Sequence, residues 1–236
     1  EVIHAAGLLP VRIQGDPEGS SQGDTYLQSN MCPYARSCIG RAVVGEYDFL
    51  DGLVAIHTCD AICKLYDVWR IYAPPSFAFL IDHPHKVSSL SYRYHRKQLE
   101  KFVKAIEGLA DREVTEQDLI HSISIYQENR SLLKKLYEWR KRDFPPITGS
   151  EVLKVVEASA LMSKEEHSAL LKRLLKLLES RQAPLRKGPR VVVSGSILEN
   201  PDFLQLIEDC GGMVVSDDLC TGTRYFWDEV QPEGDP

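Results

Sequence analysis

The sequence predicts an α/β protein, built as a parallel-sheet α/β domain, a helical middle region and a truncated second α/β domain. Three observations predict it. Short apolar runs bounded by turn residues alternate with helix-compatible stretches over residues 1–85. Apolar residues then recur at helical spacing over 86–187, and a second strand–helix–strand pattern opens in 188–236. Strand, helix, strand at this spacing indicates βαβ units and a parallel sheet.

In the first region, Val11-Arg-Ile13 reads as a strand and Tyr34 to Val44 as a helix. Leu53-Val-Ala-Ile56 is a buried strand behind the Asp51-Gly52 turn, Ala61 to Ile71 is a helix, and Phe77-Ala-Phe-Leu-Ile81 is a strand ending at Asp82-His-Pro84. Right-handed crossovers then place Cys59 and Asp82 at one edge of the sheet. In the middle region, Thr115-Glu-Gln-Asp118 resembles a capping box with Asp in place of Glu or Gln. The helix after it carries Leu119, Ile123, Tyr126, Leu133 and Tyr137 at helical spacing and stops at Pro145-Pro146 and Gly149. Ser163-Lys-Glu-Glu166 reads as a cleaner capping box, opening a helix with an apolar stripe of Leu170, Leu171, Leu174, Leu175 and Leu178. The basic cluster Lys134 to Arg142 reads as a solvated helix face.

The third region follows a basic, Pro-bearing linker, Arg181 to Pro189. Arg190-Val-Val-Val-Ser194 is a strand, and Asn200-Pro201 is an N-cap with Pro at the first helical position. The helix reaches Cys210, Gly211-Gly212 stops it, and Met213-Val-Val215 is the next strand. Two strands do not make a stable sheet alone. The region therefore reads as cut short where Gln231-Pro-Glu-Gly-Asp-Pro236 ends the chain.

Apolar content of 43%, charged content of 26% and a net charge of −6 describe an ordinary globular protein, with no basic face to attract nucleic acid. No apolar run reaches the ~20 residues that cross a bilayer. Glu1-Val-Ile-His-Ala-Ala-Gly7 lacks the basic start and apolar core of a secretory signal. The expected compartment is the reducing cytoplasm, where the six cysteines stay free or bind metal.

Four cysteines cluster early, in Cys32-Pro-Tyr-Ala-Arg-Ser-Cys38 and His57-Thr-Cys59-Asp60-Ala-Ile-Cys63. Spacing leaves their chemistry open. Cys59-x₃-Cys63 fits a zinc pair loosely and Cys32-x₅-Cys38 does not. A redox dithiol prefers Cys-x-x-Cys, iron–sulfur ligation is a third option, and small buried apolar residues are the plain alternative. His57 and His83 follow strands and can face the same edge, whereas His4, His95, His121 and His167 lie on helices. Gly195 and Thr221-Gly-Thr-Arg224 could hold phosphate through backbone amides and a guanidinium, but no Gly-rich nucleotide motif accompanies them. Ordinary strand-to-helix turns explain them as well.

Taken in order, Glu1-Val-Ile-x-Ala-Ala-Gly7-Leu-Leu-Pro-Val-Arg12, Cys32-Pro-Tyr-x-Arg-Ser, Tyr47-Asp-Phe-Leu-Asp-Gly-Leu-Val54 leading to Cys59-Asp60, Ile147-Thr-Gly-x-Glu151 and Asp217-Asp-Leu-Cys-Thr-Gly-Thr-Arg224 resemble one group. This is the 2-hydroxyacyl-CoA dehydratase D-component family, which also contains benzoyl-CoA reductase subunits. The resemblance implies a cytoplasmic enzyme of anaerobic metabolism that pairs two homologous subunits, each holding a [4Fe-4S] cluster on three cysteines, with a separate ATP-dependent activator injecting one electron. It implies Cys32 and Cys59 as two cluster ligands and a third beyond residue 236, with Cys220 as the fallback and Cys38 and Cys63 as bystanders. Glu1 matches an acidic position near the family's substrate pocket, a proton-transfer residue. The implied reaction is dehydration of a 2-hydroxyacyl-CoA through a ketyl radical. The alternatives are an aromatic acyl-CoA reductase subunit, a non-catalytic electron-relay or scaffold partner, and a zinc-binding α/β protein.

Overall fold

The computed structural model describes residues 1–16, 22–182, 188–198 and 200–230. The tail 231–236 and most of the predicted basic linker lie outside them. The chain starts with a short helix, α1 (Val2–Ala5), and reaches α2 (Pro33–Val43) through a 3₁₀ turn at Gly23–Thr25. The first βαβ unit is β1 (Leu53–Ile56), α3 (Asp60–Tyr72) and β2 (Ala78–Ile81). Four helices follow: α4 (Ser89–Ala110), α5 (Glu116–Arg140), α6 (Gly149–Leu161) and α7 (Lys164–Ser180). A second unit comprises β3 (Arg190–Ser194), α8 (Asp202–Asp209) and β4 (Met213–Asp218), closed by α9 (Thr223–Phe226). Both strand pairs are parallel, β1 on β2 in register from Leu53↔Ala78 to Ile56↔Ile81, and β3 on β4 with a shift between Val191 and Val192. The fold is therefore α/β, as the alternation of periods predicts.

Period-two alternation sorts the first sheet between two cores. Leu53, Ala55, Ala78 and Leu80 face α2 and α3, packing with Cys38, Ile39, Leu65 and Trp69. Val54, Phe79 and Ile81 face the other way, onto Ala6 just after α1 and Phe102 and Ile106 of α4. Helices cover both faces, so these strands read as unbroken apolar runs. A third core joins Leu133, Leu136, Val152, Leu171, Leu178 and Phe226 from α5, α6, α7 and α9. On α7 the stripe is narrower than predicted. Leu171 and Leu178 are buried and Leu174 and Leu175 partly so, but Leu170 is 46% exposed.

Val11-Arg-Ile13 is not a strand. Its backbone is held by other groups: Arg12 N donates to Ala160 O at 2.9 Å, Tyr34 OH donates to Ile13 O at 2.6 Å, and Arg41 donates to the carbonyls of Gln14 and Gly15 at 3.1 and 3.0 Å. Backbone groups can be satisfied by side chains as well as by a ladder. The basic cluster also differs from expectation. Arg140 is 1% exposed and ion-paired with Asp217 of β4 at 3.0 Å, so that helix face is not simply solvated.

Thr115–Asp118 is a reciprocal capping box, because Asp118 Oδ2 reaches Thr115 N at 3.0 Å. Ser163 accepts from Glu166 N, but the Glu166 carboxylate takes the Ser163 hydroxyl, so this box is half made. A second full box, Thr148–Glu151, starts α6. At α8 the cap is shifted by one: Pro201 is the N-cap, and Asn200 Oδ1 accepts from Asp202 N at 2.8 Å. The start of α6 is capped from a distance too, by buried Glu208 of α8, which accepts from Gly149 N at 2.5 Å and Ser150 Oγ at 2.8 Å. Gly149 is required there. A Cβ on it would lie 2.5 Å from Val214 Cβ. Gly149→Ala is expected to cost about 1–3 kcal/mol through overpacking, read as a lowered urea midpoint with an unchanged slope.

His167, 3% exposed, sits in a polar network between α5 and α7. Asn129 donates to its Nδ1 at 2.8 Å and its Nε2–H donates to Val155 O at 3.0 Å, an arrangement only the neutral ring completes. Burial first, opposed by the Val155 carbonyl and aided by Lys164, holds its pKa below the ordinary 6.5. The unfolded chain then binds this proton more readily than the folded one. The stabilisation is complete above 6.5 and is lost as pH falls through the folded-state value. Unfolding free energy measured across this range should fall less steeply for His167→Gln than for the parent.

Candidate functional site

The carboxyl ends of β1 and β2 bring several chemically capable side chains together. His57 N continues the ladder to Ile81 O at 2.9 Å. Cys59, exposed and in extended backbone conformation, is then the N-cap of α3, with no side-chain cap hydrogen bond. Cys59 thus stands at the positive dipole end of a helix. Cys63, one turn on, differs. Burial, then the negative charges of Asp60, Asp67, Cys59 and Asp82, push its thiol up and keep it protonated.

Asp82 follows β2 and accepts from Tyr94 OH of α4 at 2.5 Å and from His57 Nδ1 at 3.0 Å. These two bonds, the tyrosine's first, hold its carboxyl below the ordinary 3.8. Beyond His57 the imidazoles continue, His57 to His85 at 5.5 Å, His85 to His83 at 6.5 Å and His83 to His95 at 4.9 Å between ring centres. Burial, then His83, holds His95 low. The sequence places His57 and Asp82 at this edge. The clasp from Tyr94 has no local signal, and His83-Pro-His85 is the one local hint of the imidazole chain.

Cys32 takes the equivalent place on the neighbouring helix, as the half-buried N-cap of α2, again with no side-chain cap bond. Helices α2 and α3 pack together through the core that includes Cys38, which is fully buried. The two thiols are thus both at helix N-termini and free of cap hydrogen bonds, which suits them to hold a metal or cluster. Among the described residues no three His, Cys, Asp or Glu side chains converge as a metal site. Two thiolates are fewer than a [4Fe-4S] cluster takes, so they fit such a group as part of its ligand set.

Other predicted residues lie elsewhere. Cys220 follows β4, with the Arg224 guanidinium 3.7 Å from its sulfur, on the second sheet. Arg224 closes on Asp218 through bonds of 2.6 and 2.7 Å, and Thr223 N is taken by Asp217, so this turn is occupied by its own carboxylates and the phosphate reading is unsupported. Glu1 caps α1 and pairs with Arg130 of α5, while Ser122 Oγ donates to its carbonyl at 2.8 Å. Around it lie Tyr126, His4, Glu165 and buried Lys164, whose ammonium stands 5.6 and 5.1 Å over the rings of Tyr126 and Tyr225. Among the described residues no hydrogen bond or ion pair ties Glu1 to Cys32 or Cys59; its carboxylate goes to Arg130.

Fold and site together define an α/β protein with ligand-capable thiols capping two packed helices beside a parallel sheet. The chain belongs to the 2-hydroxyglutaryl-CoA dehydratase, D-component family, whose model matches residues 1–236. It is 32% identical over 241 residues to a subunit of the benzoyl-CoA reductase of Thauera aromatica, covering 100% of this chain and 62% of that protein. It is 28% identical over 240 residues to the beta subunit of the lactoyl-CoA dehydratase of Anaerotignum propionicum, covering 100% of this chain and 63% of that protein. It is 22% identical over 227 residues to the (R)-phenyllactyl-CoA dehydratase beta subunit of Clostridium sporogenes, covering 96% and 61%. The chain thus spans about three fifths of the length of these relatives.

Proposed function

We propose that the chain is part of an iron–sulfur acyl-CoA enzyme subunit, a 2-hydroxyacyl-CoA dehydratase, in which Cys32 and Cys59 supply two thiolates to a [4Fe-4S] cluster. The observation that carries this is the pair of thiols at two helix N-caps within a chain matched to the family along its whole length. When bound, such a cluster would supply single low-potential electrons to a thioester carbonyl, giving the ketyl radical through which a 2-hydroxyl leaves and a 3-hydrogen becomes acidic.

The chain's own residues would prepare that edge. Cys32 and Cys59 stand at the starts of α2 and α3, and Asp82 with Tyr94 holds the His57 ring, two residues before Cys59, in place. Glu1 is proposed as a proton-transfer residue, its carboxylate oriented by Arg130. We assign residues 1–85 to a first α/β domain, 86–187 to a helical region and 188–236 to the start of a second α/β domain. A homologous second subunit, an ATP-dependent activator and a cytoplasmic setting complete the reading, and no described helix is long and apolar enough to cross a membrane.

A second reading is a benzoyl-CoA reductase-type subunit, favoured by the 32% identity to a subunit of that name. Incubating the assembled complex with a 2-hydroxyacyl-CoA and with benzoyl-CoA separates the two. Anaerobic purification of the full-length protein should yield iron and acid-labile sulfide. Zinc in their place would overturn both readings.

A further inference from the structure

The turn between β2 and α4, residues 83–87, is fixed at both ends and lightly held in between. At its root Tyr94 OH donates to Asp82 at 2.5 Å, and at its far end Ser88 caps α4 by accepting from Ser91 N at 3.1 Å. Among the described residues no main-chain hydrogen bond involves residues 83–87. The turn instead makes ring contacts. His83 meets the His95 ring of α4 edge-on at 4.9 Å, and His85 meets His57 edge-on at 5.5 Å. Tyr94 and His95 are neighbours on α4, so the clasp on Asp82 and the contact with His83 start from the same turn of helix.

The two attachments answer pH differently. Asp82 is held below the ordinary 3.8, so the clasp keeps its charge through the range in which imidazoles titrate. Its negative charge also favours protonated His57 and His85, which keeps the root closed in acid. His95 behaves in the opposite way. Its Nδ1 is covered by protein and finds no hydrogen-bond partner among the described residues, so a proton there would make a buried N–H without an acceptor. Arg96, next on α4, is paired with Glu100 at 3.1 Å, and Lys86 of the turn is exposed, so neither offers one. His83, facing His95, would add a like charge. We propose that residues 83–87 form an acid-released strap: with His83 and His95 neutral it lies on α4, and with both protonated it lifts away, hinged at the Asp82–Tyr94 clasp. Lifting would carry His85 off His57 and uncover the end of β1. None of these groups is Cys32 or Cys59, and the strap does not depend on the iron–sulfur reading.

Histidine-selective NMR on the full-length protein tests it. Burial, then His83, holds His95 below 6.5, so the closed strap is complete above 6.5 and is lost as pH falls through the folded-state value. Cross-relaxation between the His83 and His95 rings is therefore expected at about pH 8 and should vanish by about pH 5.5, in step with the His95 titration. His95→Phe keeps an uncharged ring, and its contact with His83 should survive at the lower pH. His83→Gln removes the like charge and should move the His95 midpoint up towards 6.5. Circular dichroism at both pH values confirms that each protein stays folded. A His95 midpoint at or above 6.5, a ring contact that persists in the parent at the lower pH, or an equal loss in His95→Phe would overturn the proposal.

Discussion

Asp217→Ala should lower the unfolding free energy by about 3–5 kcal/mol, because it strands a buried guanidinium. Asp217 and Arg140 are 8% and 1% exposed. The carboxylate accepts from Arg140 at 3.0 Å, from Tyr137 OH at 2.6 Å and from Thr223 N at 2.9 Å. Without it, Arg140 keeps its bond to Val214 O at 3.1 Å and its stacking on Tyr137. Its Nε already lacks a hydrogen-bond partner. The phenol of Tyr137, pushed up by burial and then by the negative charge of Asp217, would lose its acceptor. Urea unfolding measures the loss, and a result below about 1 kcal/mol would show the pair to be solvated in solution. Replacing both partners together, Arg140→Met with Asp217→Leu, should recover most of the stability, since the cost lies in the unpaired charge.

If Cys32 and Cys59 hold the proposed cluster, Cys59→Ala or Cys32→Ala should remove its visible absorbance from anaerobically prepared full-length protein and abolish turnover. Cys38→Ala should keep both. Cys38 is fully buried against Ile39 and Leu53, so its loss is expected to appear as about 1 kcal/mol of destabilisation from a small cavity. Iron content per chain distinguishes the two effects. A Cys59→Ala protein with parental iron and sulfide would remove Cys59 from the ligand set.

What the sequence discloses follows the range of the interactions concerned. Strands β1 and β2 are legible because both faces are covered and their residues form unbroken apolar runs. Phe77, predicted as strand, lies one residue before β2, although its carbonyl still accepts from Leu53 N at 2.8 Å. Cys59 is legible from the strand before it and the helix after it. Arg140 is not, because nothing near it in sequence separates one buried cation from its solvated neighbours, and Asp217 is 77 residues away. The cap that Glu208 places on α6 spans 59 residues and is hidden for the same reason. Glu1 stands out by resemblance alone, and its pairing with Arg130 cannot be read from either residue's surroundings.

The segment from Arg12 to Gly15 shows where structural information is stored. At residues 13–15 it contributes main-chain carbonyls, while Tyr34, Arg41 and Tyr47 of the following helix and loop supply the donors. Its route is therefore encoded largely in those three side chains, with Ile13 adding its own contact to the core of α2 and α3. Substitution at Gln14 should leave the path intact, whereas a single change at Arg41 would release two carbonyls at once. At Gln14, tolerance to substitution is decoupled from structural importance, because the residue that can vary is the one being held.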